Sequence, residues 1–176
     1  MTTLLEKKIF TYDDINSLPE GNYEIIDGER RDMTPTGFGH GYFESIIAEL
    51  LRKHLGSGGY VAVGEVGVVI SRNPFRLRAA DVVYISKTKY PERPAGMLEL
   101  PPELIVEIVS DDNTAKYIND KVKDYLSIGV DRVVLVDPYT ETVTVYQHGR
   151  KEAGYYNFND EFEIIRGLVV KLKEIA

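Results

Sequence analysis

Glu107 is the only acid in the apolar run Leu104-Ile105-Val106-Glu107-Ile108-Val109. A carboxylate in a sheet core costs several kcal/mol unless a cation or hydrogen-bond donors compensate it. Asp81 has a similar setting, between Arg78-Ala79-Ala80 and Val82-Val83-Tyr84-Ile85. Two neighbouring strands that each present one acid at a sheet end are what a divalent metal site with oxygen ligands requires. The two charges would repel in a low-dielectric site unless a cation neutralised them. Mg2+ or Mn2+ takes one or two carboxylates together with waters and phosphate oxygens. Lys121 lies three residues after Ile118 and four before Tyr125 on the predicted helix that follows, so it borders that helix's apolar stripe. An ammonium there reaches a metal-bound water or a phosphate and stabilises developing negative charge. Other readings stand beside these: Asp81 as a strand-end cap, Glu107 paired with Arg78, and Lys121 bridged to Asp124 or Glu107.

Composition narrows the chemistry. Cysteine is absent, which excludes disulfides, thiolate zinc and a cysteine nucleophile and suits a reducing compartment, with the cytoplasm expected. His40, His54 and His148 lack the paired spacing of a zinc site. No apolar stretch approaches the roughly 20 residues that span a bilayer, and the start, Met1 to Lys8, has no signal-peptide core, so no membrane is expected. A net charge of −7 repels polyanions on average. A local excess of Arg72, Arg76, Arg78, Lys87, Lys89 and Arg93 flanks Asp81 and can override that average. Gly37-Phe38-Gly39-His40-Gly41 lacks the Lys-Ser/Thr of a P-loop, and no serine sits in a G-x-S-x-G elbow.

The elements that must hold these residues fit one domain over 1–176, 43% hydrophobic and long enough to bury a core. A short helix is predicted over Phe10 to Leu18, and a hairpin over Tyr23 to Met33 turns at Asp27-Gly28. A glycine-rich loop, Pro35 to Gly41, then leads into a helix over Tyr42 to Leu55 with apolar residues at i, i+3, i+4, i+7 and i+8. Strand-rich sequence from Tyr60 to Ile70, broken near Gly64-Glu65, precedes the Asp81 strand, a proline-rich loop and the Glu107 strand. Asp111-Asp112-Asn113-Thr114 offers N-caps for a helix over Ala115 to Ile128, followed by a strand pair and three shorter strands. The class is α/β, a mixed β-sheet flanked by helices.

Taken in order, Tyr23-Glu24-Ile25-Ile26-Asp27-Gly28-Glu29, His40, Ala80-Asp81-Val82, Val106-Glu107-Ile108-Val109-Ser110, Asp120-Lys121, Gly129-Val130 and Val136-Asp137-Pro138 resemble the Uma-type family of the PD-(D/E)XK, restriction-endonuclease-like superfamily. The resemblance covers nearly the whole chain. It implies a restriction-endonuclease-like sheet and a Mg2+- or Mn2+-dependent DNA endonuclease, with the ion held by Asp81, Glu107 and the Ile108 carbonyl. The superfamily's lysine normally stands two residues after the second acid, where this chain has Val109, and Lys121 on the next helix takes its place. Glu44 and Glu24 are further candidates around the ion, and His40 is read either as a phosphate contact or base or as a helix-start packing residue. Nucleases of this fold commonly pair to cut two strands, which implies a homodimer or higher homo-oligomer. The alternative is a catalytically inactive nuclease-fold module for interaction or oligomerisation.

Overall fold

A computed structural model describes residues 8–111 and 113–175; the start segment and the cap candidate Asp112 lie outside the described residues. A 3-10 helix, Tyr12–Ser17, stands where a longer helix is predicted, and Asp14 Oδ2 accepts the Thr11 N–H at 2.8 Å to close its first turn. Strands β1 (Tyr23–Ile26) and β2 (Glu29–Asp32) form the predicted hairpin. Its two turn residues both have positive φ, 53° at Asp27 and 83° at Gly28, as a type I′ turn demands. A Cβ at Gly28 would also meet the Phe10 carbonyl at 2.9 Å. Helix α1 (Phe38–Leu55) begins four residues earlier than predicted, so His40 lies inside its first turn and not in a loop ahead of it. Packing overrides the low propensity of Gly39 and Gly41, because Ile47, Ala48 and Leu51 are almost wholly buried.

Strands β3 (Gly59–Arg72) and β4 (Phe75–Ser86) make a long hairpin, followed by β5 (Leu104–Ile108) and helix α2 (Ala115–Ser127). Strands β6 (Arg132–Asp137), β7 (Thr142–Gln147) and β8 (Gly154–Asn157) complete the main sheet, and β9 (Phe162–Ile165) with β10 (Leu168–Val170) forms a small second one. The main sheet runs β2-β1-β4-β5-β6-β7-β8, with β3 on the other side of β4 and only the β5–β6 pair parallel. A helix packs on each face: α1 over Val82, Val106, Val134 and Val136, and α2, through its Val122 and Tyr125, over Val83, Ile105 and Val133. No described helix is long and apolar enough to cross a membrane, which leaves β-barrels unaddressed.

One topological detail positions the chemistry. The edge of β4 that faces away from β3 is shared: β1 meets it at Leu77, and β5 meets it from Val82 to Tyr84. Between them the sheet forks, and the β4 backbone at Ala79 has no strand partner on that edge. Buried N–H and C=O groups need partners. Side chains supply them: Glu24 Oε1 accepts the Ala79 N–H at 3.3 Å, and Lys121 Nζ donates to the Ala79 carbonyl at 2.8 Å.

Candidate active site

At the fork Asp81 and Glu107 sit on adjacent strands, 4% and 7% exposed, but their immediate partners differ. Asp81 Oδ2 accepts the Ile108 N–H at 2.6 Å and lies 3.3 Å from His40 Nε2. His40 Nε2 is also 3.1 Å from Glu44 Oε1, one helical turn further along α1. His40, Glu44 and Asp81 thus bring one nitrogen and two oxygens within 4.8 Å of one another. Ile108 meets Asp81 through its amide, whereas the resemblance implies a role for its carbonyl.

Glu107 belongs to a second group. Its Oε2 takes the Lys121 ammonium at 2.5 Å and its Oε1 the Tyr125 hydroxyl at 2.7 Å. Lys121 is buried and also lies 3.7 Å from Glu24, which in turn pairs with Arg78 at 2.7 Å. Lys121 therefore pairs with Glu107 and not Asp124; Arg78 pairs with Glu24 and Asp124 and not Glu107. Glu24 lies among the cations, with Lys121 and Arg78. Burial works against the Lys121 charge, but Glu107 and Glu24 outweigh it and raise its pKa, so the ammonium persists. Burial pushes the Glu107 carboxyl up to about 8 while Lys121 pulls the other way. Burial and Glu107 keep the Tyr125 hydroxyl protonated, fixing it as the donor.

His40 tests whether a divalent ion fits. Desolvation lowers its pKa, yet the hydrogen-bonding and charge influence of Asp81 and Glu44 prevails and raises it to about 10. The two acids therefore demand a positive charge between them, which a proton on His40 meets when no other cation does. The proton is poorly suited to the place. An imidazolium in the first turn of α1 opposes the helix dipole, and Nε2 is buried without a properly aligned hydrogen bond among the described residues. Nδ1 is 3.1 Å from Ser110 Oγ. With the proton on Nδ1 and shared with that oxygen, Nε2 presents a lone pair to the acids, the arrangement usual for a metal-bound histidine. The donor set fits a divalent cation.

Sequence reasoning missed Glu65. Val63 pairs with Val82 and Val66 with Ala80, so a bulge at Gly64 and Glu65 stands opposite Asp81. Both bulge residues have positive φ, 86° and 59°, and at Glu65 that conformation costs of order 1 kcal/mol. Burial, with the charges of Asp81 and Glu44, raises the Glu65 carboxyl to about 7 against the pull of Lys121 and His40. The visible signal was the Gly-Glu break in an apolar strand. A carboxyl whose folded pKa is raised binds its proton more tightly when folded, so its charged form destabilises as pH rises from about 4.5 to 7. Glu65→Gln is therefore expected to stabilise the protein in EDTA at pH 8 and not at pH 4.5. Discounted for partial exposure the gain is about 1 kcal/mol, or 2–4 °C. Thermal melts at the two pH values check it; equal shifts at both would separate Glu65 from the acidic centre.

The basic patch predicted around Asp81 is not present as a patch. Arg76 bridges Asp27 and Asp124, Arg78 is buried between Glu24 and Asp124, Arg72 pairs with Glu99, and Lys89 lies 3.8 Å from Asp131. Four of its six cations are neutralised where they stand.

Residues 11–172 match the Uma2 family, described as "Putative restriction endonuclease". No curated protein matches the chain. Among solved structures, it is similar to the crystal structure of "a putative nuclease belonging to DUF820" from Anabaena variabilis, with a TM-score of 0.80 at 17% identity over 94% of this chain and 97% of that one. That likeness shows a shared nuclease fold, including the mixed sheet flanked by helices.

Proposed function

We propose, from the premise that this chain belongs to the Uma2 family, that it is a metal-dependent endonuclease hydrolysing DNA phosphodiester bonds. The observation that carries this is the buried His40 Nε2, set between the Asp81 and Glu44 carboxylates without an aligned hydrogen bond to either, beside the Glu107–Lys121 pair. Asp81, His40 and Glu44 would hold the ion, with Glu107 and Glu65 close enough to its charge to contribute. A divalent ion there would supply Lewis-acid polarisation of the phosphate and acidification of water. A nitrogen ligand favours Mn2+ over Mg2+, which prefers an all-oxygen shell. The chain's own residues do the rest. Ser110 fixes the His40 ring, the Ile108 amide fixes Asp81, and Tyr125 and Glu107 aim the Lys121 ammonium, which would neutralise charge on the attacked phosphate. Cutting both strands of a duplex in one event takes two such centres, which a homodimer or higher homo-oligomer would supply.

Incubation with supercoiled plasmid in Mn2+, Mg2+ or EDTA tests the reading. Nicking and linearisation are expected with Mn2+, more slowly with Mg2+, and not in EDTA; intact plasmid under all three would defeat it. A second reading rests on one specific contact: both Glu107 oxygens are taken, by Lys121 and Tyr125, as in a structural ion pair. The chain would then be an inactive nuclease-fold module. The two readings part on ion binding, because a ligand at one hundred times its Kd stabilises the folded state by about 2.7 kcal/mol. Melting temperatures unmoved by millimolar Mn2+ would favour the inactive module.

A further inference from the structure

With four of the six cations of the predicted patch paired and only Lys87 and Arg93 left without an ion pair among the described residues, a denser group of unpaired cations lies elsewhere. An open pocket of about 890 Å³ at the far end of the sheet is lined by Arg132, Arg150, Lys151 and Arg166, against the acids Glu152 and Glu163. Its cations come from three places: the first residue of β6, the turn between β7 and β8, and the turn between β9 and β10. Arg132 is held by the Glu163 carbonyl and, at 2.9 Å, by Glu163 Oε2, which uses up one acid. Arg150, Lys151 and Arg166 are exposed, and among the described residues none makes an ion pair. In a chain of net charge −7 this is a concentrated positive surface.

We propose that this pocket binds the phosphodiester backbone of DNA flanking the position that is cut, an inference resting on the nuclease reading above. Two features favour a backbone over a single small anion. The free cations stand on long side chains on turns around an open concavity, and the pocket is far larger than one phosphate. The position suits a flanking contact. Arg132 is three residues before Leu135, the β6 residue in register with Glu107, which places the pocket's rim roughly 10 Å along the strand from the level of Glu107. Arg132 also alternates with Val134 and Val136, so it projects on the α1 face, the side from which His40 and Glu44 approach. One turn of duplex is long enough to touch both.

The test is fluorescence anisotropy with a labelled duplex of about thirty base pairs in EDTA, where no cleavage can occur. The triple variant Arg150→Ala/Lys151→Ala/Arg166→Ala is expected to bind at least tenfold more weakly than the natural protein. Its slope of log affinity against log salt should be shallower by about 2 to 3, at about 0.9 for each phosphate left unneutralised. A charge-matched control, Arg31→Ala/Lys53→Ala/Lys123→Ala, removes three exposed cations elsewhere and should change binding far less. Equal weakening in both variants, or an unchanged triple variant, would overturn the pocket while leaving the nuclease reading intact. Failure of the natural protein to bind any duplex at low salt would also overturn the pocket, while plasmid cleavage in Mn2+ still decides the nuclease reading.

Discussion

Asp81→Asn is expected to lower Mn2+-dependent plasmid cleavage at least a thousandfold, about 4 kcal/mol of transition-state stabilisation, and to flatten the melting response to Mn2+. Asparagine keeps the shape and an oxygen for the Ile108 amide, so the hydrogen bond joining β4 to β5 survives. What disappears is the charge that, with Glu44, calls for a cation beside His40. The two readouts separate causes. Abolished cleavage with an intact Mn2+ response would move the ion to Glu107 and give Asp81 a positioning role. Full cleavage would remove Asp81 from the centre altogether.

How much of this was legible follows from the range over which each signal acts. A continuous apolar run holding a solitary acid marked β4 and β5, and their antiparallel pairing at Val82 and Val106 sets Asp81 beside Glu107. The i, i+3, i+4 stripe exposed α1, and Asp-Gly exposed the first turn. The failures have a common physical origin. Helix α1 reaches back to Phe38 because tertiary burial overrides two glycines, and that shift takes His40, already read as one turn before Glu44, out of the loop and into the helix. Glu65 faces Asp81 only because a bulge breaks the alternation that strand reading assumes. Most of the basic patch dissolved because Arg76 and Arg78 meet Asp124, more than forty residues away in sequence, and no local pattern records that pairing.

Arg78→Met is expected to cost about 3–5 kcal/mol of stability, because removing one partner of a buried charge network leaves the others desolvated and unpaired. Arg78 is 3% exposed and bridges Glu24 on β1 to Asp124 on α2, both at 2.7 Å. Its removal strands Glu24 and weakens the hold on Asp124, which Arg76 still contacts. Urea unfolding measures it. The comparison is Arg72→Met, whose pair with Glu99 is 66% and 39% exposed and should contribute about 1 kcal/mol or less. Similar costs for both would mean that burial does not set the strength of the network. Adding Glu24→Gln to Arg78→Met should recover part of the stability, since a neutral amide is cheaper to bury than an unpaired charge. Glu24 also lies 3.7 Å from Lys121, so the ion pair that clamps β1 to β4 helps to aim the ammonium offered to the phosphate. Activity per folded molecule in Arg78→Met, measured below its melting temperature, should therefore fall as well. If it does not, Lys121 is positioned by Glu107 and the Ala79 carbonyl alone.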